Sequence, residues 1–365
     1  MTRGFFDRKS MTKRSKMKEK KTMDKGSAQM KKLKVGIIGC GGIAHIHLQA
    51  LQAMMDVEIE SVCDVAPKVM TWAEALGSKG YRDYHEMLED EALDAVHICT
   101  PHYLHHEMAM EALKKGKHVF LEKPMGMTVR ECEILAEYAN KSNQKVGICL
   151  QNRLNHTSVA MKEWINKGSL GKIKGIRGFV SWHRTPEYYQ ESNWRGKKVY
   201  EGGGLLMNQM IHTLDLMQWY CGGVEAVSGH VSTRVLKEVI DEEDTGEATL
   251  WMKNGAIGHF YGTNTYTNNA SVCIEIDCEK GILREQDGRL SLIQEDDETL
   301  IAENKKASGE KDYWGHSHAL AIRKFYEAIV GLNDSYIKVE EGINSVKIVR
   351  GIYESSTVES KVVLD

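Results

Sequence analysis

Lys34–Gly39 is a short apolar run ending in glycines, and the stretch after it carries Ile43, His47, Ala50 and Leu51 on one helical face. Val57–Cys63, Ala95–Cys99, His118–Leu121 and Lys145–Leu150 repeat the apolar run, with helix-period segments between them. Runs this short and continuous suit strands buried on both faces, and their alternation with helices implies right-handed crossovers. The pattern predicts an α/β chain whose residues 31–150 form a doubly wound parallel sheet of the Rossmann type.

Beyond residue 150 the rhythm changes. Lys174–Trp182, Val224–Arg234, Ala248–Lys253, Ala256–Thr263, Ala270–Cys278 and Leu290–Ile293 predict strands with few helices between them. Lys253-Asn254-Gly255-Ala256 predicts a type I′ hairpin, because Asn-Gly tolerates the positive φ angles that turn needs. Residues 151–365 are therefore expected to form a second domain around a large, mainly antiparallel open sheet. One of its faces packs on helices. The other is expected to support a homo-oligomer, a dimer or tetramer, since alternation leaves Trp251, Phe260 and Tyr261 needing cover. His318–Leu332 and Glu341–Ser356 predict closing helices that pack back towards the first domain.

Composition narrows the function classes. The 365 residues, 42% apolar and 27% charged, suit a globular protein of two domains. No run approaches the roughly 18 apolar residues of a membrane span. Residues 1–30 carry ten Lys/Arg against three acidic residues and lack the apolar core of a secretory signal. They are expected to be a disordered basic extension. The rest of the chain is acidic, which argues against nucleic acid as a partner. Eight cysteines lie mostly in apolar runs without a C-x-x-C pair, as expected for reduced thiols in a cytoplasmic protein.

The chemistry concentrates at two places. Gly39-Cys40-Gly41-Gly42-Ile43-Ala44 sits between a strand and a helix, with Asp64 ending the next strand. Gly39 permits the tight turn, Gly41 and Gly42 admit a pyrophosphate, and the helix N-terminus offers free N–H groups to it. Asp64 would accept hydrogen bonds from the adenosine ribose and repel a 2′-phosphate, which favours NAD. Lys68 leaves NADP open. The second place is Glu122-Lys123-Pro124, a lysine presented at the end of an apolar strand beside that cradle.

Together with Cys99-Thr100-Pro101-His102-Tyr103-Leu104-His105 and Gly202-Gly203-Gly204-Leu205-Leu206-Met207-Asn208-Gln209-Met210-Ile211-His212-Thr213-Leu214-Asp215, these motifs resemble the glucose–fructose oxidoreductase/inositol dehydrogenase (Gfo/Idh/MocA) family. The resemblance spans about residues 33–365. It implies hydride transfer between a sugar or cyclitol hydroxyl carbon and nicotinamide. It also implies that Gly39, Gly41, Gly42, Ile43, Thr100, Pro101 and His105 line the cofactor. Glu122 would contact the nicotinamide ribose, Lys123 would reach the substrate hydroxyl, and Gln151 and Arg153 would face the nicotinamide. His212 would be the acid/base. Two positions depart from the family pattern: His102 stands where Asn is frequent, and Asn208 where Asp is frequent.

The residues support a similar chemistry on their own. Alcohol oxidation needs a group to take the hydroxyl proton, and His212 or a desolvated Lys123 suits that task. Helical spacing puts Asn208, His212 and Asp215 on one face, where Asp215 could orient the imidazole and Asn208 could hold substrate. His212 is the favoured base and Lys123 its electrostatic partner; the reverse assignment stays open. Trp182, Tyr189, Trp194 and Arg195 offer stacking faces and donors suited to a sugar or glycoside. A ring secondary hydroxyl, such as C3 of a glucoside, is the expected point of oxidation. His102, His105 and His106 lack a local carboxylate or cysteine ligand, so no metal is expected. Rival readings are an inositol dehydrogenase, a glycosidase that recycles bound NAD in place, and a non-catalytic sugar- or nucleotide-sensing protein.

Overall fold

Six parallel strands form the first sheet: β1 (Leu33–Ile38), β2 (Val57–Cys63), β3 (Lys79–Tyr81), β4 (Ala95–Ile98), β5 (His118–Leu121) and β6 (Val146–Ile148). Their order is β3-β2-β1-β4-β5-β6. The chain direction of growth reverses between β1 and β4, and the crevice beyond the strands' carboxyl ends at that point is where doubly wound sheets bind ligands. β3 has no counterpart in the apolar pattern, because three half-exposed residues carry no periodic signal. The computed structural model describes residues 32–304 and 317–364. The basic extension at residues 1–30 lies outside them.

The second sheet contains β7 (Ile173–Ser181), β8 (Val224–Ser232), β9 (Thr245–Met252), β10 (Ile257–Thr263), β11 (Cys273–Cys278), β12 (Gly281–Gln286), β13 (Arg289–Gln294), β14 (Asp297–Glu303) and β15 (Val362–Val363). The order is β14-β13-β12-β11-β7-β10-β9-β8-β15. Its neighbours pair antiparallel except β7 with β10. β12 and β14 escape the pattern because Arg284, Glu285, Asp297 and Glu298 interrupt their apolar positions.

The Asn254–Gly255 hairpin differs from expectation. Met252 N–H donates to Ala256 O and Gly255 N–H to Met252 O, both at 2.9 Å. Of the loop residues only Gly255 has positive φ, at 87°. The connection is a three-residue loop closed by a glycine bulge, whereas type I′ needs positive φ at both central residues. Asn254 instead accepts the Ala256 N–H with Oδ1 at 3.0 Å.

One face of this sheet is covered by the helices Ile211–Cys221 and Val339–Val358. Phe260 points to that side and is buried, so it needs no further cover. On the opposite face Phe179 and Ile257 are exposed and Tyr261 is half-buried, while the Lys361 ammonium sits 4.1 Å above the Trp251 ring. The helix His318–Ile329 contributes Ile322, Phe325 and Tyr326 to the core around β1, β4 and β5. Ile148 N–H donates to Ile337 O at 2.9 Å, which ties β6 to the chain entering the last long helix.

Candidate active site

Gly39 follows β1 with φ of 90°, and a Cβ there would fall 2.7 Å from Cys99 O. Only glycine fits so close an approach. At Gly41 and Gly42 an added Cβ would meet nothing within 4 Å. That space belongs to a cleft of about 820 Å³ at the carboxyl ends of the strands. The helix Gly42–Gln52 starts there with no side-chain cap and no acidic residue in its first turn. Its orphan N–H groups and positive end suit a pyrophosphate. Asp64 lines the cleft and accepts Cys40 N–H at 2.7 Å and Ala66 N–H at 2.8 Å. It thus pins the glycine turn and keeps lone pairs for ribose hydroxyls. These residues fit a dinucleotide.

Further along the cleft stand Ile43, Thr100, Pro101, Glu122 and Gln151. His105 lines it too, but both of its ring nitrogens face carbonyl oxygens, Pro124 O at 2.7 Å and Thr100 O at 2.8 Å. It braces two loops, and with a carbonyl oxygen against each ring nitrogen neither nitrogen is open to a metal. His102 Nδ1 donates to Glu201 O at 2.9 Å, and burial pushes its pKa well down.

Behind Glu122 runs a buried chain. Its Oε1 takes the His47 Nε2–H at 2.9 Å, His47 and His97 share a 2.8 Å contact through Nδ1, and His97 Nε2 meets the Tyr326 hydroxyl at 2.9 Å. One proton order satisfies every contact: Tyr326 donates to His97, His97 to His47, and His47 to Glu122. Both imidazoles are then neutral, in keeping with the burial that pushes His97 down. Burial alone would raise Glu122, but the His47 hydrogen bond and nearby charges outweigh it and hold the carboxyl ionised. The signal for this chain was a histidine inside the apolar run of β4, a polar group that must find a partner once buried. His47, Glu122 and Cys149 bring ligand atoms within 4.8 Å of one another. However, His47 spends its Nε2–H on Glu122, and burial pushes the Cys149 thiol up, away from the thiolate a metal needs.

Lys123 crosses to the other half of the site. Its Nζ donates to Asn208 O at 2.8 Å and reaches Asn208 Oδ1 at 3.3 Å. Burial pushes its pKa down, opposed by Glu122 and Glu201. Asn208 lies in a π-helical turn, Leu206–Met210, that leads into the helix Ile211–Cys221. Glu243 holds the start of this turn by accepting Gly204 N–H at 3.0 Å and Leu206 N–H at 2.9 Å. Asn208 and His212 line the cleft together with Gln209 and Thr213. His212 is half-buried on the cleft wall, and desolvation reinforced by the Lys123 charge pushes its pKa down to about 3. Its imidazole is therefore neutral at working pH.

Three expectations need correction. Asp215 does not orient His212: both of its carboxylate oxygens accept from Arg153, and one also accepts from the Gln218 amide. Arg153 does not line the cleft: its Nε and Nη2 donate to Asp215 at 2.7 Å each, and its Nη1 donates to Glu341 at 2.5 Å. His212 Nδ1 accordingly has no hydrogen-bond partner among the described residues. Tyr189 does not line the cleft either. It packs with Leu236 and Ile240, and its hydroxyl accepts the Asn264 amide N–H at 3.1 Å. Its neighbour Tyr188 lines the cleft instead, since adjacent helical residues point about 100° apart.

The remaining wall carries Trp182, Tyr188, Trp194 and Arg195. The Arg195 guanidinium lies 4.8 Å from the Tyr188 ring centre and 5.4 Å from that of Trp194. Arg184 bridges Trp182 and Tyr188 in the same way, at 5.2 and 5.3 Å. Cations interleaved with aromatic faces stiffen such a wall.

Residues 33–149 match the profile described as "Oxidoreductase family, NAD-binding Rossmann fold", and residues 158–284 match the Gfo/Idh/MocA C-terminal domain. The chain belongs to the Gfo/Idh/MocA oxidoreductases. It is 29% identical to a myo-inositol 2-dehydrogenase of Thermotoga maritima over 62% of this chain and 67% of that protein. It is 25% identical to a levoglucosan dehydrogenase of Pseudarthrobacter phenanthrenivorans, covering 69% of this chain and 73% of that one. Among solved structures, the WlbA dehydrogenase of Bordetella pertussis, in complex with NADH and UDP-GlcNAcA, superposes with a TM-score of 0.82. That likeness covers 92% of this chain and 99% of the other at 29% identity.

As a family member the protein is an NAD-dependent dehydrogenase of the sugar and cyclitol class. Among the described residues no helix is long and apolar enough to cross a membrane. Asp64→Ala is expected to raise the NADP-to-NAD ratio of kcat/KM about tenfold, by removing ribose contacts and repulsion of a 2′-phosphate. Because Cys40 N–H also loses its acceptor, NAD affinity should fall in the same variant. An unchanged ratio would assign cofactor choice to another residue.

Proposed function

We propose that this Gfo/Idh/MocA protein oxidises a ring secondary hydroxyl of a sugar or glycoside at the meeting point of Lys123, Asn208 and His212. The observation that carries this reading is the Lys123 ammonium, presented from the end of β5 and held against Asn208, four residues before His212 on the facing helix. NAD, when bound, supplies the hydride acceptor. Gly41 and Gly42 would seat its pyrophosphate, Asp64 its adenosine ribose and Glu122 its nicotinamide ribose, all four lining the cleft.

Lys123 donates to the substrate hydroxyl and favours the developing alkoxide over the neutral alcohol. His212, kept neutral by burial and by Lys123, offers the lone pair that takes the hydroxyl proton. The Asn208 amide holds Lys123 in reach. Trp182, Tyr188, Trp194 and Arg195 form a wall on which a pyranose ring can stack while its outer hydroxyls find donors. The exposed side of the second sheet, with Phe179, Tyr261 and Trp251, supports association with a second copy, which sedimentation would read directly.

The test is a panel of free sugars, glycosides, nucleotide sugars and cyclitols with NAD, followed at the nicotinamide absorbance with product analysis. NADH formed in step with a keto-sugar is expected. Preference for cyclitols would move the substrate class, and cleaved glycoside without NADH would replace the reading by recycled cofactor.

A further inference from the structure

Glu201 is a buried acid with no place in the mechanism so far. It ends the short helix Lys198–Glu201, is 1% exposed, and does not line the cleft. One carboxylate oxygen receives the Gly196 N–H and the other receives the Asn208 Nδ2–H. Its own carbonyl takes the His102 Nδ1–H at 2.9 Å. An ionised carboxylate only accepts hydrogen bonds, so the Asn208 amide must turn its nitrogen to Glu201. That leaves Oδ1 on the side of Lys123 Nζ, 3.3 Å away.

We propose that Glu201 is a positioning residue of this site: through the Asn208 amide it fixes an oxygen towards Lys123 and so sets the field at the reacting hydroxyl. A carboxylate placed one amide away supplies negative potential to Lys123 without touching substrate. The amide passes that potential on because both of its ends are committed. This role of Glu201 rests on Lys123 meeting the substrate hydroxyl, as proposed above.

The charge state of Glu201 follows from its surroundings. Burial pushes it up to about 7, against the pull of the Gly196 and Asn208 hydrogen bonds. Glu243 raises it further and Lys123 lowers it. Tyr189 and the His102 ring also face it, and Arg350 donates to the next carbonyl, Gly202 O, at 2.7 Å. Below that pH the protonated carboxyl can donate. The amide is then free to flip and present its Nδ2 donor to the Lys123 ammonium, which is itself only a donor.

Glu201→Gln imitates the protonated acid at every pH. Its Oε1 keeps Gly196, its Nε2 needs an acceptor, and Asn208 must turn Oδ1 away from Lys123. The wild-type kcat is expected to fall as pH drops through about 7 and Glu201 takes up its proton. E201Q should show a kcat about 10- to 100-fold lower at pH 8.5, KM for NAD unchanged and no such fall. The double variant E201Q/N208D restores an acceptor towards Lys123 and a donor towards Asp, so kcat should recover to within about tenfold of wild type. Wild-type kcat and pH profile in E201Q, or equal losses in E201Q and the double variant, would overturn the role.

A readout without turnover separates this from failure of the substrate reading. The pH dependence of Lys123 labelling by formaldehyde and borohydride, followed by mass spectrometry, should shift to lower pH in E201Q, since the ammonium loses a negative neighbour. An unshifted profile overturns the role of Glu201 whichever sugar proves to be the substrate.

Discussion

Lys123→Ala is expected to lower kcat by about 10² to 10³-fold while the Kd for NAD changes by no more than a few-fold. The ammonium lies on the second-domain side of the cleft, bonded to Asn208 rather than to the glycine turn or to Asp64. Its removal therefore spares the groups that seat the dinucleotide. What is lost is a fixed cation held against Asn208 at the developing alkoxide, in a site where burial lowers the effective dielectric and magnifies that charge. Asn208 O and Oδ1 would also lose their donor, so part of the effect is a loosened amide. Lys123→Met keeps the stem and removes only the charge; a loss as large as that in alanine assigns the effect to electrostatics. Stopped-flow NADH formation with titration of NAD binding decides the matter. Turnover within tenfold of wild type would take Lys123 out of the mechanism and leave His212 to act alone.

The parts of this site that are local in sequence were legible beforehand. A strand, a glycine turn and a helix declare themselves through apolar runs and backbone demands, so β1, the turn at Gly39 and the placement of Asp64 at the cleft are legible from pattern alone. β5 and Lys123 followed by the same logic. Positions that depend on helical phase were less secure. The π turn at Leu206–Met210 shifts Asn208 out of simple α-helical phase with the helix that follows, and Asp215 is claimed by Arg153, a partner 62 residues away that no local pattern announces. Tyr188 and Tyr189 could not be told apart, because which of two adjacent tyrosines faces the cleft is set by how Pro186–Gln190 docks. Glu201 was invisible for a different reason. Its meaning lies in contacts to Gly196 and Asn208 that form only when two turns fold against each other. Its neighbour Glu243 is similar, a buried acid whose partners are the N–H groups of a turn 37 and 39 residues away.

Arg153 separates the two kinds of reading most sharply, and its variants should lose stability rather than cofactor. The guanidinium is 3% exposed, paired through two nitrogens with Asp215 and through the third with Glu341, above the Trp219 ring at 5.6 Å. It joins the turn Gln151–Leu154, the helix that carries His212 and the first turn of the helix Val339–Val358. Removing one partner leaves an uncompensated buried charge, so Asp215→Ala and Arg153→Met should each cost about 3–5 kcal/mol in urea unfolding. The double variant R153M/D215L buries two apolar groups in place of the pair and should recover most of that loss. At temperatures where the single variants stay folded, NAD should bind them with nearly wild-type affinity, because the cleft contains Gln151 and Asn152 but not Arg153. A destabilisation under about 1 kcal/mol together with a tenfold weaker NAD would reverse the assignment and return Arg153 to the nicotinamide.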